Sequence, residues 1–238
     1  EVLAIAVGGT TKPAYVMLPK PVGVADVQRC AAALDAAGAA NVPLHALVET
    51  HGALREVQAL AAHPRIESLS FGLMDFVSAH RGAIPASAMS AHGQFDHPLV
   101  LRAKLEIAAA CLGHGKVPSH CVVTEFKHLS ALEKAAGRAC RELGYTRMWS
   151  IHPAQIRPIV EAFTPSTAEV DLAIDIILAA QEAQWAPIKL HETLHDRASY
   201  RYFWRVIERA HRTTFTHGPQ LPEEVRRRWF DASPAVMP

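Results

Sequence analysis

LHALVETHGALREVQALAAHPRIESLSFGLMD, residues 44–75, contains two apolar runs separated by a segment of helical character. An apolar run at 44–48 is followed by a segment at 52–62 whose apolar residues recur with helical spacing, and a second apolar run follows at 68–71. A strand, a helix and a further strand in this order form a β-α-β unit, in which the two strands lie parallel. The stretch therefore predicts a parallel sheet with a helix packed on it.

The same alternation extends through most of the chain. We predict strands at 14–18, 44–48, 68–71, 120–124 and 148–151, and helices at about 24–38, 52–62, 98–113, 129–143 and 167–184. Repeated βα units build either an open doubly wound sheet or a (β/α)8 barrel. Because no glycine-rich phosphate loop follows any predicted strand, the nucleotide-binding doubly wound sheets are disfavoured.

The length allows a TIM-type (β/α)8 barrel only if part of the barrel lies outside this chain. Such barrels take about 250 residues, whereas roughly the last fifty of these 238 residues do not continue the alternation. We therefore predict an α/β fold in which a barrel portion at 1–185 lacks about three N-terminal βα units. We expect 186–238 to form a helical C-terminal extension that acts as a lid or an oligomer contact.

The composition is that of a globular enzyme. Half of the residues are hydrophobic, and 24 Lys and Arg residues nearly balance 23 Asp and Glu residues, for a net charge of +1. A disordered chain would be less apolar, and a nucleic-acid-binding chain would be more basic. No apolar stretch reaches the roughly 18 residues of a membrane span, and the N-terminal residues lack the basic character of a secretion signal. We expect a cytoplasmic protein with no nucleic-acid or membrane partner.

Two carboxylates follow neighbouring predicted strands. Glu49 comes directly after the strand at 44–48, and Asp75 lies 26 residues later, after the next strand. Ligands of parallel βα folds gather at the carboxyl ends of the strands, and neighbouring strands lie about 5 Å apart. Such a pair can share a proton, hold a divalent cation such as Mg²⁺, or consist of solvated or helix-capping carboxylates. We favour the cation.

Two further strand ends carry residues that are candidates for binding a substrate. Lys20 follows the first predicted strand and can neutralise a substrate carboxylate, form an imine, or take part in a structural ion pair. His152, with Pro153 behind it, follows the last predicted strand. It can face a ligand, or it can orient its loop by a hydrogen bond to the backbone.

The motif His191-Glu192-Thr193-Leu194-His195 reads as His-Glu-x-x-His. On a helix this spacing places two imidazoles on one face for a catalytic zinc. No third ligand follows at the usual spacing, and no long apolar helix surrounds the motif. We therefore interpret it as a solvated or interfacial helix rather than a zinc site.

Four segments in register resemble one known family. They are Met17-Leu18-Pro19-Lys20, Ala46-Leu47-Val48-Glu49-Thr50, Phe71-Gly72-Leu73-Met74-Asp75-Phe76 and Ile151-His152-Pro153-Ala154-Gln155-Ile156. In order, spacing and strand position the chain resembles the HpcH/HpaI aldolase superfamily, and within it the citrate lyase beta-chain-like branch, over about residues 14–180.

The resemblance implies a lyase or aldolase that depends on Mg²⁺, or on Mn²⁺ in its place, and acts through a metal-stabilised enolate. The substrate would be a keto acid or an acyl-coenzyme A thioester, and the protein a homo-oligomer, either a trimer or a hexamer. Glu49 and Asp75 would be the catalytic residues and the metal ligands, and Glu49 would also touch the substrate. The turn of Gly72, Leu73 and Met74 would offer backbone amides to a substrate carboxylate, with Lys20, His152 and Pro153 also binding the substrate.

Two regions depart from the family pattern. Ser119-His120-Cys121 stands where the family commonly has an aspartate followed by a small residue, and the glycine-rich C-terminal segment is replaced by an aromatic and arginine-rich one at 185–230. These departures keep open a non-catalytic ligand-binding or assembly subunit of the same fold. A second alternative, an acyl-coenzyme A thioester hydrolase, shares the metal site and differs only in what attacks the carbonyl.

Overall fold

The computed structural model describes residues 13–125, 129–213 and 219–231, together with Gly8 and Lys127. The chain divides into two compact units between Ile159 and Val160, and each unit has its own hydrophobic core. The predicted boundary at residue 185 separates a barrel from an extension and stays a prediction.

Strands and helices alternate through the first unit. The strands are β1 (Val16–Leu18), β2 (Leu44–Val48), β3 (Ile66–Phe71), β4 (Val117–His120) and β5 (Arg147–Met148). The helices are α1 (Val24–Ala36), α2 (His51–Arg55), α3 (Val57–Ala62), α4 (Leu73–Ser78), α5 (Pro98–Gly113) and α6 (Leu129–Leu143), and α7 (Ile156–Phe163) crosses the division between the units. Short 3₁₀ turns lie at Ala86–Met89, Gly93–Phe95 and Pro153–Gln155.

The five strands form one parallel sheet in the order β1-β2-β3-β4-β5. Each strand therefore lies beside the one that follows it in the chain, and right-handed crossovers place the connecting helices on one face of the sheet. A doubly wound sheet would instead reverse its strand order at a switch point. Consecutive parallel strands with helices on one face are the arrangement of a (β/α)8 barrel, which confirms the predicted fold class.

Alternate residues of β2 face opposite sides of the sheet, as expected for a strand. Leu44, Ala46 and Val48 are buried in the core that the sheet forms with the helices. His45 is also buried, but its partners are polar, since Nδ1 lies 2.5 Å from Ser68 Oγ and Nε2 lies 2.8 Å from Ser70 Oγ. Burial lowers the pKa of His45 to about 4, so the ring is neutral at physiological pH. The face opposite the helices is thus polar around this histidine.

Several predicted boundaries are wrong. The strand predicted at 120–124 lies earlier, at Val117–His120, because Pro118 and Ser119 weaken the strand pattern there and Val122 and Val123 imitate it. The helix predicted at 52–62 is two helices that meet at Glu56. Leu73, Met74 and Asp75, expected in a turn that begins at Gly72, instead lie in the first turn of α4.

The second unit is built on two long helices. It contains α8 (Thr167–Glu182), the hairpin β6 (Ile188–Leu190) and β7 (Thr193–His195), α9 (Arg197–Arg212), α10 (Glu223–Arg226) and a π-helical turn at Arg227–Asp231. Ser166 caps α8 with a capping box that includes Glu169. The core of the unit joins the apolar faces of α8 and α9 with Leu221, Val225 and Trp229. In the described part of the chain, no helix is both long and apolar enough to cross a bilayer.

The His-Glu-x-x-His motif does not lie on a helix, so that prediction is wrong. Ile188 pairs with His195 and Leu190 with Thr193 in an antiparallel hairpin. The two turn residues, His191 and Glu192, have φ angles of +47° and +61°, the left-handed conformation that a two-residue type I′ turn requires. Because the chain reverses between the two histidines, they do not share a helix face as a zinc protease requires.

Candidate functional site

The carboxyl ends of β1, β2 and β3 bring four predicted site residues together. Val48 lies opposite Phe71 in the sheet, and the amide of Gly72 donates to the carbonyl oxygen of Val48 at 3.0 Å. The residues that follow these strands, Glu49 and Gly72, are therefore neighbours. Because the amide of Gly72 donates to Val48, the amides of the following residues are the ones placed to meet a ligand, and the substrate-binding role of Gly72 stays a prediction.

Glu49 is an interior carboxylate, with 5% of the residue exposed. Its Oε1 accepts a hydrogen bond of 2.8 Å from the backbone amide of Lys20, the residue whose ammonium contacts Asp75. Burial raises the pKa of Glu49 and the neighbouring Asp75 raises it further, while the amide of Lys20 acts in the opposite direction. Two carboxylates thus face one small space, as the spacing predicted.

Asp75 lies in the first turn of α4 and is about half exposed, with 48% of its side chain accessible. The ammonium of Lys20 lies 2.8 Å from Asp75 Oδ1 and forms the ion pair that the sequence left open as one interpretation. Asp75 raises the pKa of Lys20 through this contact. The ammonium of Lys20 is therefore already paired with Asp75, one of the two carboxylates.

Gly72 is required at this site by the close approach of Glu49. A β-carbon at Gly72 would lie 2.4 Å from the β-carbon of Glu49 and 2.5 Å from its Oε2. Its backbone φ angle of −91° is open to any residue, so space rather than conformation demands the glycine.

Three side chains for which the sequence predicted no site role hold the backbone of the β1–α1 loop by hydrogen bonds. Thr50 Oγ1 donates to the carbonyl oxygen of Pro21 at 2.8 Å and also caps α2. Asp26 accepts from the amide of Val22 at 2.6 Å, and Glu56 accepts from the amide of Val24 at 2.9 Å. These bonds fix the backbone that carries Lys20. An acidic residue just inside a helix start was the only sequence signal for Asp26.

Leu73 and Met74 lie between Gly72 and Asp75, at the start of α4. The side chain of Leu73 is buried and Met74 packs against the core of the first unit, so only their backbone can face a ligand. The first amides of a helix have no partner within the helix.

His152 and Pro153 follow β5, three strands away from β2 in the sheet. The Nδ1 atom of His152 accepts from the amide of Ala154 at 3.2 Å, which is the loop-orienting interpretation. Beside it, buried Gln155 donates to the carbonyl oxygen of Val123 at 2.8 Å and accepts from the amide of Ile151 at 3.0 Å. The substrate-binding role of His152 and Pro153 stays a prediction.

The residues at the ends of β2 and β3 fit a hard divalent cation. The available ligand atoms are carboxylate oxygens, which Mg²⁺ and Mn²⁺ prefer. The ammonium of Lys20, which contacts Asp75, shows that a positive charge is accommodated beside these oxygens. In residues 13–125, 129–213 and 219–231, no group of three or more His, Cys, Asp or Glu side chains gathers. A cation here would have two protein carboxylates and would take its other ligands from water or substrate, as Mg²⁺ commonly does.

The solved structures that are similar to this chain include a citrate lyase and a CitE protein, whereas no family model matches the chain. A crystal structure of a citrate lyase from Burkholderia xenovorans LB400 is 56% identical in sequence, with a TM-score of 0.80, and the match covers 92% of this chain and 69% of that one. The structure of CitE from Mycobacterium tuberculosis with magnesium, acetoacetate and coenzyme A shares the fold, with a TM-score of 0.67 and 22% identity over 83% of this chain and 68% of that one.

Curated relatives agree with this match. The chain is 27% identical to an L-malyl-CoA/beta-methylmalyl-CoA lyase of Rhodobacter capsulatus in an alignment 202 residues long that covers 77% of this chain and 62% of that protein. It is 29% identical to a (3S)-malyl-CoA thioesterase of Cereibacter sphaeroides over 181 residues, 76% of this chain and 58% of that protein. The chain thus spans about three fifths of the length of these two relatives.

The consecutive parallel strands and the helices between them place the chain in the class of βα-barrel proteins. The chain belongs to the HpcH/HpaI aldolase superfamily, in its citrate lyase beta-chain-like branch.

Proposed function

We propose that the protein is a Mg²⁺-dependent carbon–carbon lyase that cleaves or forms a bond next to the carbonyl of a keto acid or an acyl-coenzyme A thioester. The observation that carries the proposal is that Glu49 and Asp75 follow adjacent strands and both contact Lys20, Glu49 through the backbone amide and Asp75 through the ammonium. The names of the relatives support this reaction class.

Glu49 and Asp75 are the residues that would hold the metal. When bound, Mg²⁺ supplies a Lewis acid for the negative charge that develops on a carbonyl oxygen as the bond breaks. The Mn²⁺ ion can take the same place, because it prefers the same oxygen ligands. Because Glu49 is buried while Asp75 reaches solvent, substrate would approach from the side of Asp75.

The surrounding groups of this chain would orient an anionic substrate. The amides of Leu73 and Met74, which lie in the first turn of α4, and the ammonium of Lys20 would together attract a substrate carboxylate. His152 and Pro153 are proposed to bind the substrate from the loop after β5. The cytoplasmic location and the homo-oligomeric state predicted from the resemblance remain part of the proposal.

Product analysis of malyl-coenzyme A tests the reaction class. A lyase breaks the bond between the hydroxyl-bearing carbon and the carbon next to the thioester, and releases glyoxylate and acetyl-coenzyme A. A thioesterase adds water to the thioester and releases malate and free coenzyme A, and the relationship to a malyl-CoA thioesterase makes this the second candidate. We expect Mg²⁺-dependent formation of glyoxylate, detected by NMR.

Two controls complete this experiment. The Glu49→Gln and Asp75→Asn variants are expected to lose product formation, whereas Glu106→Gln, which removes an exposed carboxylate on α5 from its pairing with Arg102, is expected to retain it. Malate as the sole acid product would instead assign a hydrolase. Tight binding of the thioester without turnover would favour the non-catalytic alternative.

A further inference from the structure

Lys20 contacts both carboxylates of the site through two different parts of the residue. Its ammonium lies 2.8 Å from Asp75 Oδ1, and its backbone amide donates to Glu49 Oε1 at 2.8 Å. The backbone contact involves a buried partner, whereas the side chain of Lys20 is 63% exposed. The ammonium can therefore leave Asp75 without disturbing the bond to Glu49.

The backbone at Lys20 is held in an unusual conformation. Its φ angle is +50°, in the left-handed region that residues other than glycine rarely adopt. Such a conformation persists when the surrounding bonds determine it, and here the amide bond to Glu49 and the bond from Thr50 to Pro21 lie on either side. The main chain acts as a fixed anchor, and the flexible stem of the lysine is the part that can move.

A divalent ion and the ammonium cannot occupy this space together without strong repulsion. Mg²⁺ binds oxygen at about 2.0–2.1 Å, so a Mg²⁺ ion on Asp75 would lie within a few ångströms of an ammonium that also contacts Asp75. Rotation of the exposed lysine side chain relieves this repulsion most easily. Once released, the ammonium remains at the mouth of the site, where an anionic substrate would approach.

We propose that Lys20 is the resident counter-cation of the site, displaced from Asp75 by the divalent ion and then used to bind a substrate carboxylate. The inference rests on the proposed function. It makes Lys20 a positioning residue that orders the two binding events, with the metal binding first and the carboxylate second.

Calorimetric titration with MgCl₂ alone tests the first event. Lys20→Met keeps most of the side-chain stem but removes the competing charge, so we expect its Mg²⁺ affinity to rise by roughly three- to tenfold at low salt, with a smaller gain at high salt. Lys20→Arg keeps a cation and is expected to retain the wild-type affinity. Lys189→Met, which breaks a comparable exposed ion pair with Glu192 in the second unit, is the matched control and is expected to change nothing.

Titration with pyruvate in saturating MgCl₂ tests the second event. We expect Lys20→Met to bind pyruvate several-fold more weakly than the wild type, although it binds Mg²⁺ more tightly. A lower Mg²⁺ affinity in Lys20→Met would mean that the lysine supports the metal ligands, and an unchanged affinity would mean that it is a surface ion pair, so either result overturns the proposal. If Glu49→Gln and Asp75→Asn bind Mg²⁺ as the wild type does, the proposed function itself fails. If they lose Mg²⁺ while Lys20→Met is unchanged, only the exchange fails.

Discussion

Gly72 and Glu49 approach each other so closely that no side chain fits at residue 72. A β-carbon there would lie 2.4 Å from the Glu49 β-carbon, a distance at which one of the two residues must move. Gly72→Ala is therefore expected to displace Glu49, to lower the free energy of unfolding by about 1–3 kcal/mol, and to weaken Mg²⁺ binding. Urea denaturation and calorimetry measure the two effects.

A second glycine provides the control for this substitution. Gly137 lies inside α6, and a β-carbon added there would meet no other side chain or neighbouring segment within 4 Å, so Gly137→Ala is expected to stabilise the protein by up to about 1 kcal/mol. Equal stability changes in the two variants would contradict the steric account of Gly72.

Glu49→Gln is expected to separate stability from metal binding. Burial and Asp75 raise the pKa of Glu49, so ionisation of this carboxyl group disfavours the folded state, and stability is lost as the pH rises through the raised pKa. Glutamine keeps the acceptor for the amide of Lys20 and adds a donor beside Asp75. Without metal at neutral pH, we expect the variant to be at least as stable as the wild type in urea denaturation, but to gain no stability from MgCl₂. A variant that is clearly less stable without metal would show that the charge of Glu49 supports the fold.

Burial of the His45 ring is expected to reduce the free energy of unfolding in acid. Its pKa falls from 6.5 to about 4 on folding because the ring is buried, so the folded state binds fewer protons than the unfolded state. The stabilising effect is complete above pH 6.5 and is lost as the pH falls toward about 4. Between pH 6.5 and about pH 5 the wild type should lose about 2 kcal/mol more than His45→Gln, as measured by urea denaturation at each pH. Parallel pH profiles would refute this role.

The buried ammonium of Lys104 is expected to change stability in the same direction as His45, but over a higher range of pH. It is fully buried on α5, where its ammonium lies 2.6 Å from Gln94 Oε1 and 4.0 Å from the centre of the Phe95 ring, and burial lowers its pKa to about 8. Above pH 10.5 the lysine is neutral in both the folded and the unfolded state. As the pH falls from 10.5 to about 8, the unfolded state takes up a proton more readily than the folded state does, so the free energy of unfolding decreases. Lys104→Met should therefore be more stable than the wild type by about 1–3 kcal/mol at pH 7, with the difference vanishing near pH 10.5. A less stable variant at pH 7 would indicate that the bond to Gln94 outweighs the burial of charge.

The sequence predicted best where one physical pattern acted alone. The strand at 44–48 and the helices at 98–113 and 129–143 have the predicted bounds, because uninterrupted apolar alternation or periodicity marks them. Glu49 and Asp75 could be paired because the ends of adjacent parallel strands meet at one edge of the sheet.

The parts that were not predicted depend on tertiary context. Lys104 occupies an apolar position of its helix, but a lysine gives no sequence signal for complete burial. The left-handed conformation of Lys20 occurs without glycine, and the turn at His191 and Glu192 lacks the usual Asn-Gly signal. At Lys20 the contact with Glu49, which is distant in the sequence, overrides the local preference, whereas the turn at His191 and Glu192 is held by the pairing of its own two strands.

Calorimetric titration of MgCl₂ into the metal-free protein shows whether Glu49 and Asp75 jointly hold a divalent cation. We expect the wild type and Glu106→Gln to bind Mg²⁺ with the same affinity, and Glu49→Gln and Asp75→Asn each to lose at least about tenfold. Wild-type affinity in both site variants would contradict the account.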